Sequence, residues 1–264
     1  MIYEWDHGSL FFKPQYLYHR SMRQYKTQGI IIKRSNFSET DRILNIYTKD
    51  FGRVSALAKG VRKSKSRLSG HLELFYLSDL VIYKGKNLDI VTSAEIIESY
   101  QNILLNKTSI QIAYFIAELV YCSTGEGMEN KRIFELIRDC YQTLGDKKYK
   151  DNIFFFQLKL FSELGHYPEI NKCVVCRKAL KNENNYFNYL SGGVVCSRCR
   201  RENFLQIDAD VIKILRMVQV NNLQYLSRLK MNDNHLNPLS KCIEEMRSGI
   251  VEKDLKTTRY LQGI

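Results

Sequence analysis

Residues Gln28–Ala58 read QGIIIKRSNFSETDRILNIYTKDFGRVSALA, and their pattern decides the fold. Gly29-Ile-Ile-Ile-Lys33 is short, β-branched and bounded by polar residues, which predicts a first strand. Asn36–Thr40 is a polar turn. Arg42–Thr48 alternates as a second strand, with Ile43, Leu44, Ile46 and Tyr47 as its apolar residues. Asp50-Phe-Gly52 is a tight turn, because glycine accepts the positive φ that such turns need. Val54–Ala58 is a third strand.

Working outward, Leu57–Leu68 (LAKGVRKSKSRL) follows directly and carries Lys59, Arg62, Lys63, Lys65 and Arg67 with no acidic residue among them. These five cations cannot be neutralised locally, and a nucleic-acid backbone is the commonest external source of negative charge. Leu72–Tyr83 and Leu88–Ile97 read as fourth and fifth strands joined at Lys84-Gly-Lys-Asn87. Five strands in about 70 residues with short turns predict a small closed barrel, of which the oligonucleotide-binding (OB) fold is the commonest five-stranded form. The fold class is therefore α+β, because from Gln101 onward the apolar period lengthens to that of a helix. Ile112, Phe115, Ile116, Leu119 and Val120 share one helical face ending near Gly125. Arg132–Leu144 predicts a second helix, and Ile153, Phe156, Leu160 and Leu164 mark a third. Asp208 reads as the N-cap of a further helix, and Ser240–Ile250 as the last. The expected organisation is an OB barrel over residues 23–100 and a helical domain over 101–264, with a metal ribbon inserted at about 171–202. Residues 1–22 hold the only tryptophan, Trp5, but no clean period. Two readings of them stay open, a flexible arm or a start codon assigned too far upstream.

The net charge of +12 over 264 residues is localised. Arg23–Arg67 has twelve Lys and Arg against Glu39, Asp41 and Asp50, a net of +9, and Lys172–Arg201 has seven against Glu183, a net of +6. The remainder is slightly acidic. Two positive patches on one chain point to a polyanion partner. No apolar run approaches the ~20 residues needed to span a bilayer, and early acids and Pro14 argue against a secretory signal, so a cytoplasmic protein is expected.

Four of the seven cysteines form two Cys-x-x-Cys knuckles, Cys173-Val-Val-Cys176 and Cys196-Ser-Arg-Cys199. Two residues between cysteines let both sulfurs reach one ion from a tight turn, and two such turns complete a tetrahedron. A second matched pair disfavours a redox dithiol. The predicted cofactor is Zn2+, and four thiolates leave no open coordination position, so its role is structural. Arg198, Arg200 and Arg201 surround the second knuckle, and Arg177 and Lys178 lie beside the first. Cys122, Cys140 and Cys242 fall on predicted helices and read as buried apolar thiols.

Catalytic constellations are missing. The sequence contains no phosphate-binding Gly-x-x-x-x-Gly-Lys loop, no Gly-x-Ser-x-Gly elbow and no His-Glu-x-x-His motif, and its five histidines are scattered. A binding protein rather than an enzyme is expected.

The ordered set resembles the bacterial RecO recombination mediators. The matching residues are Tyr25–Lys33, Ser38-Glu-Thr-Asp-Arg42, Thr48 with Gly52-Arg-Val54, Ala58-Lys-Gly-Val-Arg62, Leu164-Gly-His-Tyr-Pro168 and the tail Leu255–Leu261. The resemblance runs from about residue 23 to the C-terminus. Many family members have glycine after the first knuckle, where this chain has Arg177, and some lack the cysteines. The resemblance implies binding of single- and double-stranded DNA, annealing of complementary strands, and loading of RecA recombinase with RecR and in some bacteria RecF. It also implies recognition of the C-terminal tail of single-strand-binding protein, and no motif places that site. Lys59 falls where the family's barrel contacts DNA. Arg62, Lys63, Lys65 and Arg67 extend that surface by charge, with Lys33, Arg34 and Arg53 in the same barrel patch and Arg198, Arg200 and Arg201 in the second patch. A zinc-ribbon transcription or RNA-associated factor is the alternative reading. A nuclease or deaminase is a third.

Overall fold

The computed structural model describes residues 23–144, 149–229 and 231–261, so the expected arm over residues 1–22 lies outside it. The N-terminal strands are β1 (Gln24–Asn36), β2 (Arg42–Thr48), β3 (Gly52–Ala58), β4 (Leu77–Tyr83) and β5 (Asp89–Glu98). They close on one another in the order β1-β2-β3-β5-β4. All pairs are antiparallel except β3 with β5, which is parallel and covers only Ala56–Leu57 against Asp89–Ile90.

The first strand is much longer than the expected Gly29–Lys33, because it serves two neighbours. Its first half pairs with β4, from Gln24 opposite Tyr83 to Ile30 opposite Leu77. Its second half pairs with β2, from Gly29 opposite Thr48 to Asn36 opposite Arg42. A bulge at Ile32 lets the strand bend between them. The fourth strand is shorter than expected. Leu72–Tyr76 leave the sheet after a 3-10 turn at Ser69–His71, and Phe75 adopts φ +72°.

Six helices follow: α1 (Lys107–Ser123), α2 (Lys131–Thr143), α3 (Tyr149–Glu163), α4 (Ala209–Val220), α5 (Leu223–Leu226) and α6 (Asp233–Ile250). Asn106, Asn130 and Asp208 cap α1, α2 and α4, their side-chain oxygens accepting from Ser109, Ile133 and Val211 N–H respectively. Residues Gln101–Leu105, expected to open the first helix, form a separate 3-10 turn. The last helix begins seven residues earlier than expected, because Asn232 caps it and it runs through Pro238. Between α3 and α4, strands β6 (Asn185–Asn188), β7 (Gly193–Val195) and β8 (Leu205–Ile207) form a small sheet in the order β7-β6-β8. Among the described residues no helix is long and apolar enough to cross a membrane.

The barrel has its own interior core and shares a second buried cluster with the helices. Ile31, Leu44, Ile46, Leu80, Ile82 and Val91 fill the barrel interior. Ile30 and Ile32, on the other face of β1, join Tyr47, Phe75 and Leu77 in the same buried cluster as Ile112, Phe115 and Ile116 of α1. Phe75 carries the contact furthest, its ring meeting Tyr114 and Tyr141 edge-on at 5.1 and 5.6 Å between centroids. The loop after α1 covers the open part of β3. Gly127 N–H donates to the Arg53 carbonyl (2.9 Å), and Ser55 N–H donates to Glu126 Oε1 (3.0 Å). The C-terminal segment is tied down by Glu118 of α1, whose carboxylate accepts from Lys256 N–H, Thr257 N–H and the Thr257 hydroxyl.

Gly52 is where the two parts meet most tightly. Its φ is +62°, and a side chain there would be driven into the Met128 carbonyl of the covering loop. Gly52→Ala is expected to cost about 2 kcal/mol or more, from the left-handed backbone and the clash together. A urea-unfolding midpoint equal to that of the native chain would refute this role for Gly52.

Candidate nucleic-acid interface and metal centre

The basic stretch fills the connection between β3 and β4, and its apolar residues anchor it. Val61 and Leu72 are buried in the barrel interior, with Leu68 partly buried against them. Two successive turns, Lys63 N–H to Gly60 carbonyl and Ser66 N–H to Lys63 carbonyl, shape the segment. It is also bonded to the β1–β2 turn. Asp41 accepts from Gly60 N–H (2.7 Å), and Arg62 donates from its backbone N–H to Thr40 carbonyl (2.9 Å) and from Nη1 to Ser38 carbonyl (2.7 Å). The Gly60 amide and the Thr40 hydroxyl hold the Asp41 carboxylate below the usual range. That contribution is therefore present above the ordinary carboxylate pKa and is lost as acid protonates the group.

The predicted barrel cations separate into two kinds. Lys59, Arg62, Lys63, Lys65 and Arg67 are exposed, and among the described residues none is paired with a carboxylate. Arg34 is different: it pairs with Glu73, which also meets Arg42 at 3.4 Å. Arg53 is half-buried and donates from Nε to Thr124 carbonyl (3.1 Å), its guanidinium 4.7 Å from the Tyr121 ring centroid. Lys33 Nζ lies 4.0 Å from the same centroid. Both cations thus join the barrel to α1 through one aromatic ring. Glu73 and Tyr121 carry no local sequence signal, since each meets its partners across a long stretch of chain, whereas Asp41 combines local bonds to Ser38 and Thr40 with the distant one to Gly60.

The four knuckle cysteines come together as the spacing predicts. Their sulfurs all lie within 4.8 Å of one another, with Cys176 and Cys196 at 3.9 Å. Thiolates around a tetrahedral ion with bonds of about 2.3 Å would stand about 3.8 Å apart, so the arrangement suits a metal and is far too open for a disulfide. Burial pushes the Cys173 thiol up, but the N–H groups of Cys176, Cys196 and Val175 outweigh it and bring the thiol down to about 6. The first knuckle hangs on β7 through Val174 N–H to Val194 carbonyl (3.0 Å), and just before it Glu169 donates its N–H to the Gly192 carbonyl (2.9 Å) and accepts at its carbonyl from Val194 N–H (2.9 Å). Gly193 is required there, because a side chain would overlap the Glu169 backbone.

Around the metal centre, Arg177, Lys178, Arg198 and Arg201 are exposed, and among the described residues none has a carboxylate partner. Arg200 is occupied: Nη1 donates to the Tyr186 hydroxyl (2.7 Å), and the guanidinium lies 5.4 Å from that ring's centroid. Of the remaining cysteines, Cys140 and Cys242 are buried as expected, and burial raises both thiols. Cys122 is only half-buried.

Arg177 adopts φ +61°, in the left-handed region. This is the position at which the family resemblance leads one to expect glycine, and the backbone supplies the reason. Arg177→Gly is expected to stabilise the fold by about 0.5–1 kcal/mol, the relief of the left-handed strain less the entropy of glycine. Chemical denaturation of the metal-loaded chain measures it, and a loss of stability would contradict the strain.

Comparison with known proteins agrees with this architecture. Residues 22–100 match the family described as "Recombination protein O N terminal", and residues 108–259 match "Recombination protein O C terminal". The DNA repair protein RecO of Dehalococcoides mccartyi is 33% identical over 242 residues, which cover 91% of this chain and 96% of that protein. RecO of Roseiflexus sp. is 30% identical over 245 residues, covering 92% and 86%. RecO of Thermoanaerobacter sp. is 27% identical over 247 residues, covering 92% and 99%. A match to both halves of the family, in order and over nine-tenths of the chain, makes this protein a member of the RecO family of DNA repair proteins.

Proposed function

We propose that this chain is a recombination mediator that binds single- and double-stranded DNA, anneals complementary strands and helps load RecA recombinase, acting with RecR and in some bacteria RecF. The observation that carries the reading is the anchored basic segment in a chain of this family, with Lys59, Lys63, Lys65 and Arg67 exposed and, among the described residues, in no ion pair, though Lys59 is near enough to Asp41 to lower the pKa of that carboxyl. The barrel then acts as an OB domain over 23–100, tracking a phosphate backbone with this segment. Arg62 keeps the segment in place and adds its charge. Arg34, Arg53 and Lys33 contribute mainly by fixing the barrel surface, since each already has a partner within the protein.

The helical domain over 101–264 supplies the second surface. Zn2+ held by Cys173, Cys176, Cys196 and Cys199 would stiffen a ribbon at about 171–202, leaving Arg198 and Arg201 to contact phosphate, with Arg200 packed on Tyr186. Two cationic surfaces neutralise two strands at once, which lowers the repulsion between them and raises their local concentration. No bond is made or broken in this work. The C-terminal tail of single-strand-binding protein is a further partner, bringing the mediator to coated strands in the cytoplasm.

Replacing Lys59, Lys63 and Lys65 together by Ala should weaken binding to all DNA and make the log–log salt slope shallower by about 2 on single strands. The same variant should anneal complementary strands coated with cognate single-strand-binding protein more slowly, with and without RecR. Unchanged affinity, slope and annealing would remove this segment from the interface. Replacing Cys173 and Cys176 by Ser should abolish zinc content and lower the melting temperature. A metal-free chain as stable as the zinc-loaded one would rule out the structural role.

A further inference from the structure

The β1–β2 turn carries a feature that charge does not explain. Phe37 is 62% exposed at its tip, and Ser35, Asn36, Ser38 and Glu39 around it are exposed and polar. Phe37 is the one apolar side chain in Ser35–Thr40, so the turn by itself offers no apolar patch of the size a protein partner needs. Nor is the turn loose. Phe37 N–H donates to the Asp41 carbonyl (3.1 Å), and the Ser38 hydroxyl accepts from Asp41 N–H (3.1 Å). Three further bonds, from Gly60 N–H, Arg62 N–H and Arg62 Nη1, lock the same turn to the basic segment. An aromatic ring is thus held out in water on a rigid support, beside the cations proposed to hold phosphate.

We infer that Phe37 is a stacking platform for an unpaired nucleobase, and that it lets the barrel distinguish single strands from duplex. The inference rests on the DNA-binding reading above. Every base presents a π-face, so one ring can stack on any sequence, while Arg62 and its neighbours hold the adjacent phosphates. In a duplex both faces of each base are already covered, so the ring gains nothing there. The polar turn around Phe37 matches this use: it exposes one ring to be covered by one flat apolar partner, and nothing more.

The test compares Phe37→Ala, Phe37→Trp and the native chain on three probes: a thymidine oligonucleotide, an abasic oligomer with the same number of phosphates, and a duplex. Removing the ring is expected to weaken binding to the thymidine oligomer by about tenfold or more. Binding to the abasic oligomer and the duplex should be unchanged, as should the salt slope and the melting temperature. Phe37→Trp should retain thymidine binding. If Phe37→Ala binds the thymidine oligomer like the native chain, or loses affinity equally on all three probes, stacking is overturned while the DNA-binding reading stands. If the native chain binds none of the probes, the underlying reading fails and the stacking role falls with it.

Discussion

The burial of β1 on both faces is the constraint on which the rest of the structure depends. Ile31 faces the barrel interior, while Ile30 and Ile32 face the helices, and all three are almost fully buried. Each is worth about 1.5–3 kcal/mol when removed from water. A barrel standing alone would leave Ile30 and Ile32 exposed, so the helical part is not an appendage but the second half of the barrel's core. The bulge at Ile32 and the loop packed against Gly52 follow from the same arrangement. The consequence for function is positional. The basic segment is anchored in the barrel by Val61 and Leu72, and the barrel is anchored to the helices by β1, so its cations sit on a fixed frame.

Charge on this frame is sorted. The sequence places twelve cations between Arg23 and Arg67, but they do not form one uniform surface. Glu73 takes up Arg34 and Arg42, and Tyr121 takes up Lys33 and Arg53. Of the other eight, five lie in the connection between β3 and β4, and Arg23, Lys26 and Lys49 lie outside it. The Glu73 pairs offset charge at the edge of the barrel, while Tyr121, a neutral ring, holds Lys33 and Arg53 in place without neutralising them, so both keep their charge beside the patch.

Much of this was legible in the sequence, and what was not has a common cause. The five strands announce themselves by alternation and by Gly52, and Asp208 caps α4 as its position before an apolar period suggests. The knuckles were readable because metal geometry acts over two residues, a local rule. The length of β1 was not readable, since its extra residues are stabilised by partners in β2 and β4, which lie far along the chain. Leu72–Tyr76 looks like strand but carries Phe75 across to Tyr114 and Tyr141, a contact no local pattern encodes. The roles of Glu73 and Glu118 were hidden for the same reason. Each is an ordinary surface acid until the fold brings its partners to it.

The ribbon shows the opposite balance between local and distant forces. Its own buried cluster is small: Cys173, Tyr186 and Val195, with a few half-buried residues such as Leu180 and Phe204 around them. So little apolar surface offsets little of the entropy of ordering the two knuckles, while the strands lean on the helical core through Phe187, Val194 and Ile207. The knuckle cysteines are themselves part of that cluster, so the groups that would hold a metal stand where a larger domain would place leucines. A metal bound there would add its binding free energy to the ordering of the knuckles. The helical core has no such need, with thirty-nine buried residues from Tyr100 to Leu255 in its cluster among the described residues. The four cysteines therefore stand where a bound ion would add most to local order, in the part of the chain with the smallest buried cluster of its own.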